Sequence, residues 1–194
     1  MKSRTLFRAV APILLTLMAA AQAAPPAADS DIDVHVRQDG NHIAVDVDLP
    51  VEATAIQTWN VMTDYENMAK FVSNLQVSRI IEHDGNSLLV MQKGKAQRGL
   101  LSFSFENVRE IMLTPHSEIR SHLISGDLEA SDFTTSVVDH GESSEIVNHG
   151  EFIAKVWVPP IIGPAVIEAA TREQFQQFRA EIMRRKMQTA AGRQ

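Results

Sequence analysis

Six strand-like segments in succession, followed by one long helix, limit what this chain of 194 residues can fold into more than any other feature. The segments run Val77 to Ile81, Leu88 to Gln92, Leu100 to Met112, Glu118 to Ile124, Phe133 to Val138 and Glu145 to Val158. Turn-rich clusters separate them, among them His83-Asp84-Gly85-Asn86, Thr114-Pro115, Gly126-Asp127 and His140-Gly141-Glu142. Regular spacing with polar turns predicts an antiparallel meander. Pro159-Pro160 ends it, and Gly163-Pro164 opens a helix with Pro at its first turn, where a missing N–H costs little. The helical stripe follows Ile167, Thr171, Gln174 or Phe175, Phe178 and Ile182, while Arg172, Glu173, Gln176, Gln177, Arg179 and Arg184 occupy the other face. Arg184, Arg185 and Lys186 complement the dipole at its end. Such a helix extends over about 22 residues, or roughly 33 Å, long enough to cross a whole sheet.

Upstream, Ile32, Val34 and Val36 alternate with polar residues, and after Asp39-Gly40 the alternation resumes at Ile43, Val45, Val47 and Leu49. This is either a hairpin or one long strand interrupted by a bulge. From Thr54, a plausible N-cap, the pattern turns helical through Ala55, Ile56, Trp59 and Met62. Thr63-Asp64 breaks it, and Tyr65, Met68, Phe71 and Val72 predict a second short helix.

The N-terminus reads as an export signal. Lys2, Arg4 and Arg8 precede an apolar stretch from Ala9 to Ala21, and Ala21-Gln22-Ala23 supplies a small-x-small cleavage pattern. The expected organisation is a signal peptide at 1–23, a disordered Ala/Pro/Asp-rich lead at 24–30, one domain at 31–187 and a frayed tail at 188–194. Loss of the signal takes three of the 18 basic residues and none of the 24 acidic ones, moving the net charge from −6 to −9. So acidic a domain repels nucleic-acid phosphates, and no nucleic-acid partner is expected. The absence of cysteine excludes disulfides, thiol nucleophiles and thiolate metal sites. The location expected is periplasmic or secreted.

The order strand, two short helices, six-strand meander and long C-terminal helix resembles the helix-grip fold of the START-like (SRPBCC) superfamily, which includes polyketide cyclases, coenzyme Q-binding START proteins, pollen allergens and lipid-transfer domains. The run from Val51 to Glu66, with Ala53, Trp59 and Thr63-Asp64-Tyr65-Glu66 in place, is similar to a motif of that superfamily, and Phe71-Val72-Ser73-Asn74-Leu75 is similar to its continuation. Trp157-Val158-Pro159-Pro160-Ile161-Ile162-Gly163 and the helix end Ala180 to Arg185 also resemble members. Coenzyme Q-binding relatives carry Tyr-Pro where this chain reads Met68-Ala69, and many members carry Gly-x-Trp where it reads Gly150-Glu151-Phe152. The resemblance implies an α+β fold, with a curved antiparallel sheet wrapped around the terminal helix.

A strongly curved sheet cannot pack flush on a straight helix, and the gap must hold large side chains or a ligand, because empty apolar volume costs about 24 cal/mol per Å³. Aromatics make up only 6% of residues, so bulky fillers are few, and eight Met offer adaptable lining instead. The expected cavity residues are Trp59, Tyr65, Phe71, Phe103, Phe105, Phe152, Phe175 and Phe178. Arg120 joins them as a polar anchor for a head group if its strand face is internal. Ordinary core packing is the competing reading for every one of these aromatics. The apolar stretch 156–167, with Trp157, Pro160, Ile161 and Ile162, is expected either to form a lip that touches a membrane or partner transiently, or to pack over the core.

The seven His show no metal-ligand spacing, and no nucleophile elbow, phosphate loop or dinucleotide fingerprint occurs, so no metal or cofactor is expected. The leading functional expectation is a monomeric, non-catalytic carrier of a hydrophobic small molecule, such as a lipid, quinone or polyketide-like compound. Two alternatives stand beside it: a cyclase or dehydrase acting on a polyketide-like substrate, and an interaction module that uses the apolar lip.

Overall fold

Period-two alternation produces eight antiparallel strands: β1 (Asp33–Asp39), β2 (His42–Val51), β3 (Leu75–Asp84), β4 (Ser87–Arg98), β5 (Leu101–Thr114), β6 (Glu118–Gly126), β7 (Leu128–Asp139) and β8 (Ser144–Ala154). They form one sheet in the order β1-β2-β8-β7-β6-β5-β4-β3. The computed structural model describes residues 32–98, 101–158, 160 and 163–192. The expected signal at 1–23 and lead at 24–30 lie outside the described residues.

The first alternating pair is a hairpin. Gly40 takes the left-handed φ of 60° that the tight turn needs, and Val34 and Val36 face Val47 and Val45 across the ladder. Along β2, Ile43, Val45, Val47, Leu49 and Val51 are all buried, while the residues between them point outward. That apolar row faces the core, while the backbone of β2 pairs on both edges, with β1 and with β8, and so closes the end of the meander against the start of the chain.

Thr54 caps α1 (Ala55–Met62) through a capping box: its hydroxyl accepts from the Gln57 N–H at 3.4 Å, and Gln57 Oε1 accepts from the Thr54 N–H at 3.1 Å. The second short helix is a single 3-10 segment, Tyr65–Lys70. The long helix α2 runs Gly163–Ala191, 29 residues, well beyond the 22 expected. Its last turn persists because Met187, Gln188, Ala190 and Ala191 are good helix formers and no glycine intervenes before Gly192. The residues from Gln188 to Ala191 are therefore helix rather than frayed tail. None of the described helices is long and apolar enough to cross a membrane.

The last strand is shorter than expected. β8 ends at Ala154, whose N–H donates to Asn41 O at 3.0 Å, because β2 turns away at His42 and offers no further partner. Val156 and Trp157, expected to continue the strand, are 71% exposed.

The helix α2 lies against β1, β2 and α1 and buries Phe175, Phe178, Glu181 and Ile182. Buried Glu181 accepts hydrogen bonds from Arg184 (2.6 and 2.7 Å) and from Arg185 Nε (2.7 Å). Arg185 Nη2 continues to Asp64, at 2.7 Å, in the link between α1 and the 3-10 helix. Hydrogen bonding from Arg184, opposed by burial and reinforced by Arg185, pulls the Glu181 carboxyl down to about 2. This ionic clamp ties α2 to the link between α1 and the 3-10 helix.

Candidate functional site

A cavity of about 310 Å³ remains between the sheet and α2. Rings form much of its wall: Phe105 from β5, Phe133 from β7, Phe152 from β8, and Phe175 and Phe178 from α2. Two glycines let rings lie flat on neighbouring strands. A Cβ at Gly94 would sit 2.4 Å from the Phe105 ring, and one at Gly150 would sit 2.3 Å from the Phe133 ring. Ile111, Ile119, Ile167, Met62 and Met68 fill the intervals.

Polar groups interrupt this lining on the β4–β8 side. Thr135 donates to Asn148 Oδ1 at 2.8 Å, and Gln92 Nε2 reaches Ser78 Oγ at 3.3 Å. Asn74 and Asn107 each carry a buried Oδ1 without a hydrogen-bond partner. Arg109 donates from Nη1 to Ser121 Oγ at 3.1 Å and from Nη2 to Ser131 Oγ at 2.9 Å, and its guanidinium lies 5.9 Å from the centroid of the Phe133 ring. Burial pushes the Arg109 pKa below its ordinary value, with Asp132 and Tyr65 acting the other way. The group nonetheless stays a cation. Across the space, burial pushes the Tyr65 phenol up while the charge of Arg109 opposes the shift. The Tyr65 hydroxyl has no hydrogen-bond partner among the described residues, so it offers an unused O–H donor.

Of the residues singled out from sequence, Tyr65, Phe105, Phe152, Phe175 and Phe178 meet at this cavity. Trp59 is buried beside it in the core and packs on His116, with ring centroids 5.8 Å apart. Phe71 stands behind Phe178, edge-on at 5.8 Å, and carries Arg185 over its other face. The side chain of Phe103 lies outside the described residues, as do Ile161 and Ile162. Pro160 and Trp157 are exposed.

Arg120 is a correction. Its neighbours Ile119 and Ser121 face the cavity, so strand alternation turns Arg120 to the opposite, wet side, where it is 69% exposed and pairs with Glu118 at 2.8 Å. His122 lies on the same outer face, 2.6 Å from Asp132. The cation that reaches the cavity is Arg109. A period-two extension of the Phe103, Phe105 face passes through Asn107 and Arg109 to Ile111, so a polar pair on an otherwise apolar face was the available signal. Among the described residues, no group of three or more His, Asp or Glu could hold a metal ion.

Comparison with known proteins places this geometry. Residues 51–134 match the family described as polyketide cyclase / dehydrase and lipid transport. No curated protein matches the chain. Among solved structures, a START superfamily protein from Mycobacterium smegmatis superposes with a TM-score of 0.64 at 14% identity, covering 73% of this chain and 97% of its own. The Zhui aromatase/cyclase from Streptomyces sp. R1128 gives 0.63 at 14%, covering 74% and 95%. A STAR-related lipid transfer protein from Xanthomonas axonopodis gives 0.65 at 10%, covering 82% and 97%. The fold is therefore the helix-grip fold that these solved structures share, as the order of elements implied.

Proposed function

We propose that this chain is an exported binder or carrier of a hydrophobic small molecule, held between the curved sheet and α2. The observation that carries the reading is the cavity itself: about 310 Å³, walled by five phenylalanine rings and provided with a few convergent polar groups. That volume lies at the lower end of ligand pockets, roughly 300–1,000 Å³, and suits a single-chain or small-ring compound better than a two-chain lipid. The family match and the lipid-transfer and cyclase neighbours support hydrophobic cargo. Export rests on residues 1–23 of the sequence. Val156 and Trp157, exposed near the start of α2, support transient contact with a membrane or protein during loading.

A cyclase or dehydrase would need an acid–base group in the cavity. Tyr65 is placed for that role, but burial raises its pKa, which favours a hydrogen-bond donor over a base. Carriage is the reading the site supports better. Native mass spectrometry of the chain purified from its exported fraction, followed by solvent extraction, tests it. A hydrophobic compound bound in stoichiometric amount is the expected result. Ligand-free protein that also binds no neutral apolar probe contradicts it, and turnover of an added polyketone replaces carriage with catalysis.

A further inference from the structure

The cavity holds one kind of charge. Among the described residues that line it, Arg109 is the single ionisable group charged at neutral pH, and no Asp or Glu accompanies it. This is notable in a chain with 24 acidic and 18 basic residues. The nearest acidic influence, Asp132, belongs to the outer face of the sheet and is engaged there by His122 at 2.6 Å. Arg109 forms no ion pair with a described residue; its two hydrogen-bond partners are the neutral hydroxyls of Ser121 and Ser131. A guanidinium has five N–H donors in a fixed fork matched to carboxylate and phosphate oxygens, so part of its capacity is unspent. A charge withdrawn from water without a counter-ion is costly, and natural interiors pair it.

Three further features bear on that unbalanced charge. The Phe133 ring covers the guanidinium from one side, held down by the gap at Gly150. The Tyr65 hydroxyl, a donor with no partner among the described residues, borders the same space. The rest of the lining is phenylalanine rings and aliphatic side chains interrupted by neutral amides and hydroxyls, with no second charge to attract a doubly charged guest. Two donors bordering one space, with phenylalanine walls and no acidic group among the described lining residues, match an acceptor-headed, tail-bearing molecule.

Resting on the carrier reading, we propose that the cargo is an anionic amphiphile, with a carboxylate or phosphate head paired to Arg109 and an apolar body against the phenylalanine walls. The protein leaves the counter-charge to its ligand. Loading then neutralises the cation, and a neutral lipid of the same shape leaves it uncompensated, which gives selectivity by charge rather than by size.

Displacement of the neutral fluorescent probe N-phenyl-1-naphthylamine by decanoate, decyl phosphate and 1-decanol tests this, near neutral pH, where both acids are ionised. The expected result is that decanoate or decyl phosphate displaces the probe at a concentration at least about tenfold below that of decanol, as one charge-assisted bidentate contact provides. Whichever acid is stronger identifies the head group. The preference should vanish in Arg109→Gln while decanol binding survives, and it should persist in Arg120→Gln, whose side chain lies on the other face. If Arg109→Gln does not fold, the double variant Ser121→Ala/Ser131→Ala, which removes both seats of the guanidinium, should narrow the preference. Equal displacement by decanol in the wild type overturns the proposal, as does an anion preference that is undiminished in Arg109→Gln or, where that variant does not fold, in Ser121→Ala/Ser131→Ala. Failure of the naphthylamine probe to bind the wild type sinks the carrier reading as well; probe binding without anion preference sinks only the anionic cargo.

Discussion

Replacing Glu181 by Gln should loosen the wall of the cavity, and the size of the effect follows from the clamp geometry. In the native chain Glu181 is 8% exposed and accepts from Arg184 and Arg185, which hold its carboxyl at about 2 instead of 4.5. Each pKa unit corresponds to about 1.4 kcal/mol, so the ionised form is favoured by about 3 kcal/mol over the protonated one. Because the folded value is depressed, that stability is fully present above pH 4.5 and drains away as pH falls towards 2. The side chain of Arg184 is 51% exposed, and water recovers part of its interaction in the variant. Glu181→Gln should therefore cost about 2 kcal/mol at neutral pH and lower the melting temperature by about 4–8 °C for a chain of this size. Urea unfolding of both proteins at several pH values is the assay, since other carboxylates titrate in both and cancel in the difference. The difference should be largest at neutral pH and close between pH 4.5 and 2. Equal stability at neutral pH, or a gap that does not shrink on acidification, would refute the clamp.

Other substitutions separate wall from filler. Phe178→Ala removes a ring that touches Phe71 and Phe175, at centroid distances of 5.8 and 6.0 Å, and should cost about 3 kcal/mol in urea unfolding while admitting bulkier probes. Gly150→Ala places a methyl 2.3 Å from the Phe133 ring and should cost about 1–3 kcal/mol, with weaker probe binding because the lid over Arg109 is displaced. Tyr65→Phe deletes a hydroxyl unpartnered among the described residues, so stability should stay within about 0.5 kcal/mol while anion affinity falls, as read by calorimetry.

The fold was legible because its two periods are written plainly. The alternation of β2, with five buried apolar residues in register, and the Thr54 capping box are local facts, and local facts survive into the structure. The end of β8 was not local. Val156 and Trp157 continue the apolar run in sequence, yet they lack a partner because β2 has already turned at His42. The helix end followed propensity further than the stripe of apolar residues did, through Ala190 and Ala191.

The cavity was harder to read for a different reason. Period two separates the faces of a strand but does not say which face is inner. On β6 the sequence put Arg120 forward if its face were internal, but Ile119 and Ser121 face the cavity, and Arg120 falls on the wet side. Arg109 went unremarked although it shares a face with Phe105 and Ile111, because a charged residue on an apolar face reads first as a misfit. Trp59 and Phe71 illustrate the converse: aromatic, buried, and one layer away from the space they help to support.

Methyl-resolved NMR of the isoleucines during titration with N-phenyl-1-naphthylamine tests the central claim, that a guest occupies the space between sheet and α2. Intermolecular NOEs from the probe to Ile111, Ile119 and Ile167, with none to the exposed Ile56 and Ile124, are the predicted result. Contacts confined to Ile56, Ile124 or other surface methyls, with the three inner residues unmoved, would contradict it.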